Sequence, residues 1–171
     1  MKDLPIPVEL RLPSAAWSRR DPDAHGVPTA AFLALRESGD NSDYAPVLTV
    51  SGGWHEHGVD LDRIGDESLD VLAAQASDVR LLERSRHGSD RAPGLTQLLA
   101  ATATVDGRTH QLRQGQVLTA LVDVGRPSRA IVLLYTLTCT EEQLPVAGRE
   151  FQQFVAAATP VAPPGVERLS G

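Results

Sequence analysis

The stretch RAIVLLYTLTCT, residues 129–140, sets the tightest limit on what this chain can fold into. Successive side chains of a strand point to opposite faces, and here both alternating sets are largely apolar. Such a strand belongs inside a sheet with further layers over both of its faces. The rest of the chain must therefore supply neighbouring strands and two coverings.

The neighbours are legible. VELRL (8–12) alternates Val8, Leu10 and Leu12 with Glu9 and Arg11, which predicts a strand with one wet face. AWSRRDPDAHGVP breaks regularity at Pro22, Gly26 and Pro28. Further strands are expected at 29–37 and 46–52, joined by the turn cluster SGDNSDYA. After a helix come strands at 79–85 and 95–105, flanking a loop RHGSDRAPG. Asp106-Gly107 is a tight-hairpin signal, because a primed turn needs positive φ at both positions. The return strand covers 109–124 and holds Gly115, read as a bulge.

Two helices cover the sheet. In 61–78, Leu61, Ile64, Leu69, Leu72, Ala73 and Ala76 form one apolar stripe, with Gly65 placing the firm start near a capping Asp66. In 146–158, the stripe is Ala147, Phe151, Phe154, Val155 and Ala158, and Thr140 with Gln143 has capping-box spacing. Pro145 fits only the first turn. The predicted order is β-β-β-α-β-β-β-β-α. Short turns between strands make the sheet antiparallel, so the class is α+β, with about seven strands and helices packed on them. Residues 1–160 are expected to form one domain, with 161–171 a Pro-rich tail.

The bulk numbers agree with a single core. A chain of 171 residues is one ordinary domain, and aromatics make up only 4%, so Val, Leu, Ile and Ala must fill its interior. Net charge is −6, from 22 acids against 16 bases, and the arginines are scattered. That balance repels phosphate backbones, so no nucleic-acid partner is expected. Lys2 is the single lysine beside fifteen arginines, a bias of G+C-rich bacterial genes. No stretch approaches the ~18 apolar residues of a membrane span. The opening MKDLPIPVELRLP has neither an apolar leader core nor a lipid-acceptor Cys, so the location expected is the cytoplasm. Cys139, the one cysteine, excludes an intrachain disulfide and reads as a small buried apolar residue.

Chemistry-bearing residues are few. In VSGGWHEHGV, a strand continuing through 55–57 would point His55 and His57 to the same side, a bidentate arrangement without a third ligand nearby. No metal and no cofactor is expected. Trp54 is expected to pack over a sheet edge. His25, His87 and His110 fall in loop or turn contexts. Ser51 has no local base, and neither a nucleophile elbow nor a phosphate-binding glycine loop occurs. RTHQLRQGQ (108–116) is polar for a strand: a solvent-facing hairpin arm, or a recognition surface in which His110, Arg113 and Gln114 take part.

Several stretches in order carry a resemblance. They are PVLTVSGGW, DVLAAQASD, RLLERSRHG, APGLTQLLAATATVDGRTHQLRQGQVLTA, IVLLYTLTCT and REFQQFVAAATP. Together they resemble the LpqN/LpqT-type actinobacterial family of the PsbP-like superfamily over residues 5 to 160. The resemblance implies an α-β-α sandwich on an antiparallel sheet and no catalytic residues to carry over. It also implies a binding or assembly role, as in a photosystem subunit, a Ran-binding import factor and bacterial lipoproteins. The family's members are typically exported lipoproteins, and this chain departs from that pattern.

The function expected is therefore a non-enzymatic protein-interaction or accessory module with a shallow surface and no deep pocket. Its partner would be an unidentified protein bound through the 108–116 hairpin or the 51–60 loop, Trp54 and His55 included. An exposed edge strand would also allow a homodimer. The alternative is a small-ligand-binding or enzymatic domain of helix-grip type. It requires a curved sheet wrapped around an apolar cavity. The short second helix argues against it.

Overall fold

The strand at 130–140 does lie in the middle of the molecule. A computed structural model describes residues 2–37 and 44–161. The elements run β1 (Val8–Glu9), β2 (Trp17–Arg20), β3 (Phe32–Arg36), β4 (Val47–His55) and α1 (Leu61–Ala73). They continue with β5 (Ser77–Gly88), β6 (Pro93–Val105), β7 (Arg108–Val122), β8 (Ala130–Thr140), α2 (Leu144–Ala157) and β9 (Thr159–Pro160). The seven-stranded sheet is ordered β2-β3-β4-β8-β7-β6-β5, every pair antiparallel. β8 is fourth of seven, and both of its faces are covered, which is the α+β architecture expected.

Each face has its own core. Ile131, Leu133, Tyr135, Leu137 and Cys139 of β8 face α2, where Phe151 and Phe154 meet Trp17, Phe32, Leu48 and Val50. Phe154 is fully buried, stacked on Phe32 at 5.6 Å between ring centroids and edge-on to Tyr135 at 6.4 Å. Leu4, Ile6, Val8 and Leu10 of the N-terminal segment join this core. On the opposite face, α1 packs over β5 and β6, and Leu61 meets Leu95, Leu118, Ala120 and Val132.

The structure corrects several expectations. Residues 17–20, assigned to an irregular stretch, form the edge strand β2, which pairs with β3 from Trp17↔Arg36 to Arg20↔Leu33. An edge strand needs one buried face only, and Trp17 alone supplies it, so no apolar alternation marks it. The strand expected at 8–12 shrinks to Val8–Glu9, which pairs with Thr159–Pro160 in a separate ribbon. The stretch after α2 is thus anchored at its start, while residues 162–171 of the expected tail and 38–43 of the expected turn lie outside the described residues.

α1 begins at Leu61, not near Asp66. The Asp60 carboxylate accepts from the Arg63 N–H at 3.1 Å and caps the helix well over a turn before Asp66. Gly65 is buried inside the helix because a Cβ there would stand 2.8 Å from Gln97 Oε1 and 3.0 Å from Arg84 Nη2. Gly115 is not a bulge: β7 pairs continuously across it, with Leu98 on one side and Leu137 on the other. The glycine lies under Phe151, whose ring edge would sit 3.5 Å from an added Cβ. The bulges are in β5, between Ser77 and Arg80 and between Leu81 and Glu83. The hairpin at 106–107 forms as read, with φ of 49° at Asp106 and 77° at Gly107. The capping box forms too: Thr140 N–H donates to Gln143 Oε1 at 3.0 Å, and Gln143 N–H donates to Thr140 Oγ1 at 3.3 Å.

Candidate functional site

Six inter-strand spacings of ~4.8 Å give the sheet a width of about 29 Å, whereas one helix covers about 10 Å. α2 packs on β8 and β7, and the N-terminal segment fills the space over β2 to β4. Over β5 and β6 the same face is left open. There the chain forms a cleft of about 780 Å3. The expected shallow surface is instead a half-open groove: α1 lies on the opposite face, and α2 alone is too narrow to roof seven strands.

The cleft floor is set by strand alternation. Leu98 of β6, Gly115 and Val117 of β7 and Leu137 of β8 point towards α2, which contributes Leu144, Phe151 and Val155. These groups make an apolar bed. The rim is polar, with Glu83, Ser85 and His87 on β5 facing Arg149 and Gln152 on α2. His87 Nε2 lies 3.0 Å from Thr96 Oγ1, and its ring lies over Gly94, where a Cβ would collide with it. Apolar depth under a polar, exposed rim suits ligands with a greasy body and polar ends.

Beneath the other face runs a chain of side-chain hydrogen bonds. Asp66 pairs with Arg84 Nη2 at 2.8 Å, and Arg84 Nε donates to Gln97 Oε1 at 2.9 Å. Gln97 Nε2 donates to Gln116 Oε1 at 2.6 Å and to the Gly65 carbonyl at 3.1 Å. Gln116 donates on to Gln114 at 3.0 Å, and Gln114 to Thr138 at 3.1 Å. Gln97 and Gln116 are buried, and the ladder satisfies them. The RTHQLRQGQ strand was expected to be solvent-facing or a recognition surface, yet from Leu112 onward its polar groups are largely internal. Arg113 points to the α2 side, where it pairs with Glu141 at 2.8 Å.

The sequence-named residues do not meet. Trp54 lies opposite Ile131, itself opposite Leu121, while His110 stands eleven residues back along β7, roughly 35 Å away. β3 pairs with β4 only over residues 47–50, so Trp54, partnered by β8 alone, stands on a locally open edge of the sheet, as expected. It is 39% exposed beneath Arg129, whose guanidinium carbon is 3.8 Å from the ring centroid and which pairs with Glu56 at 3.1 Å. β4 ends at His55, so strand geometry does not carry on to align His57 with it. Among the described residues no group of three or more His, Cys, Asp or Glu side chains is placed to hold a metal. His87 and His110 are strand residues rather than loop residues, and the His110 ring tilts on Tyr44 at 5.4 Å between centroids. His25 does lie in a loop, with Nδ1 3.0 Å from the Asp21 carbonyl.

Sequence reasoning missed the cleft. Its visible signal is the width of the α2 stripe: Leu144 and Val155 flank the fully buried Ala147 and Phe154 and are only half-buried. An apolar helix flank without a strand partner points to an opening beside it.

No protein-family model matches the chain, and no curated protein matches it. Solved structures do. LpqN, involved in cell envelope biogenesis of Mycobacterium tuberculosis, superposes with a TM-score of 0.62 at 8% identity, covering 92% of this chain and 86% of that one. Cyanobacterial PsbP from Synechocystis sp. PCC 6803 gives 0.56 at 10% identity, covering 86% of this chain and 83% of that one. The chain has the PsbP-like fold.

Proposed function

We propose that this protein is a non-enzymatic accessory module that holds an apolar segment of a partner protein in the cleft between α2 and strands β5 to β7. The observation that carries this reading is the combination of an apolar floor, Leu98, Val117, Leu137 and Phe151, with an exposed polar rim. Burying apolar side chains there yields about 25 cal/mol per Å2, while rim groups fix orientation. The fold shared with LpqN, the cell-envelope context in which LpqN is described and the resemblance of the sequence to that family support an accessory role over a catalytic one. A net charge of −6 favours a protein partner over nucleic acid, and a cytoplasmic location is part of the same reading.

A photo-crosslinking residue at position 98, in the native cell, tests it. A discrete protein adduct should form, and Ala156→Trp, an exposed helix position on the cleft lining, should abolish it by filling the cleft. An adduct unchanged by Ala156→Trp sinks the reading. The cavity volume supports a second reading, a small-ligand binder of helix-grip type, since ligand pockets span about 300–1,000 Å3. Native mass spectrometry showing a bound small molecule, with no protein adduct, would replace the first reading with the second.

A further inference from the structure

We infer that β5 is the seam of a homodimer and that the second copy completes the cleft. β5 is twelve residues long and, among the described residues, the last strand of the sheet, with no strand beyond it. At its centre two adjacent leucines, Leu81 and Leu82, are 41% and 45% exposed. They stand between Arg80 and Glu83, both exposed, for which no ion pair forms within the described residues.

This order is self-complementary. A two-fold axis normal to the sheet, passing between Leu81 and Leu82, sets Leu81 of each copy opposite Leu82 of the other. It also sets Arg80 opposite Glu83 of the second copy, twice. Arg80 pairs with Ala100 and Glu83 with Leu98 on β6, positions two apart, so both charges point to the α2 side and can meet. The bulge between Leu81 and Glu83 would mispair a foreign regular strand. In the symmetric register each bulge faces the other, and the ladder resumes on both sides. Charge and irregularity therefore select a second copy of this chain over another partner.

The axis keeps both α2 helices on one face. Each cleft has α2 as one wall and only β5, with Glu83, Ser85 and His87, at its other side. Across the seam the two clefts join into one trough walled by both α2 helices. The trough rests on the reading of the cleft as a binding site; the seam does not.

Sedimentation velocity of the full chain across a dilution series should show a species of twice the 18.3 kDa chain mass. Arg80→Glu and Glu83→Arg should each weaken it about tenfold. The double variant should restore it, since reversed charges again meet their opposites. A monomer at every concentration, a dimer indifferent to either reversal, or a double variant no better than the single ones overturns the seam. A monomer whose protein adduct is still lost on Ala156→Trp removes the seam and leaves the cleft reading standing. A charge-swappable dimer whose adduct ignores Ala156→Trp does the reverse.

Discussion

The indole Nε1 of Trp17 donates to Glu150 Oε2 at 2.7 Å, tying the edge strand β2 to α2 across 133 residues of chain. Arg36 Nε reaches the same oxygen at 2.9 Å, and Ser14 Oγ donates to Oε1 at 3.2 Å. One carboxylate thus gathers the end of β3, the start of β2 and the middle of the helix that walls the cleft.

Glu150→Ala leaves an indole N–H and a guanidinium half-buried without their acceptor. The Glu150 and Arg36 side chains are 15% and 23% exposed, so water compensates only in part. The expected loss is about 2 kcal/mol, read as a lower urea midpoint at unchanged slope. Glu150→Gln, which keeps an oxygen for Trp17, should lose less.

The same residue gives an acid limb. Burial alone would raise the Glu150 carboxyl, but hydrogen bonds from Arg36, Trp17 and Ser14, with the charge of Arg36, hold it below the ordinary value. A lowered folded pKa means stabilisation that is complete above the unfolded pKa of about 4.3 and is lost as pH falls through the folded value. Unfolding midpoints of the wild type should fall in that window, and those of Glu150→Gln should fall less steeply. Parallel acid limbs would refute this.

Gly65 tests the polar ladder. Alanine in a helix interior is worth up to about 1 kcal/mol over glycine, so Gly65→Ala should stabilise if space allowed. Its Cβ would displace Gln97 and Arg84, so the substitution should instead cost about 1 kcal/mol through the ladder bonds. In a Gln97→Leu background the penalty should shrink, and calorimetric midpoints of the four-protein cycle measure the difference.

Cys139 is fully buried, and burial pushes its thiol up to about 12, with the charge of Arg113 pulling the other way. Iodoacetamide at neutral pH should leave the native protein unmodified and alkylate it at the rate of unfolding. Rapid labelling under native conditions would contradict the placement of β8.

Two local signals in this fold were legible, whereas the clean alternation of residues 8–12 yielded only Val8–Glu9. The doubly apolar 130–140 run became the central strand, and Asp106-Gly107 became the hairpin, because those signals reside in a few adjacent residues. Trp17 to Arg20 was missed because an edge strand buries one side chain in four, which leaves no period to read. Gln114 and Gln116 read as a solvent-facing arm or a recognition surface because partners of theirs, Thr138 and Gln97, lie on neighbouring strands. The cleft arises from a mismatch of widths between layers, a relation no single segment contains. Trp54, His55 and His110 stood out by residue type, yet they sit at opposite ends of the sheet.

The short ribbon of β1 and β9 sets Val8 beside Pro160 and Glu9 beside Thr159, and the Val161 N–H reaches the Pro7 carbonyl at 2.8 Å. Because the two strands run antiparallel, the chain enters and leaves at the same end of that ribbon. Ile6 is buried in the core beside this end and the Lys2 N–H donates to the Ala30 carbonyl at 3.3 Å, so tension between the flanking segments would load those anchors together with the rungs. The ribbon therefore works as a clasp that shares its load with the core beneath it.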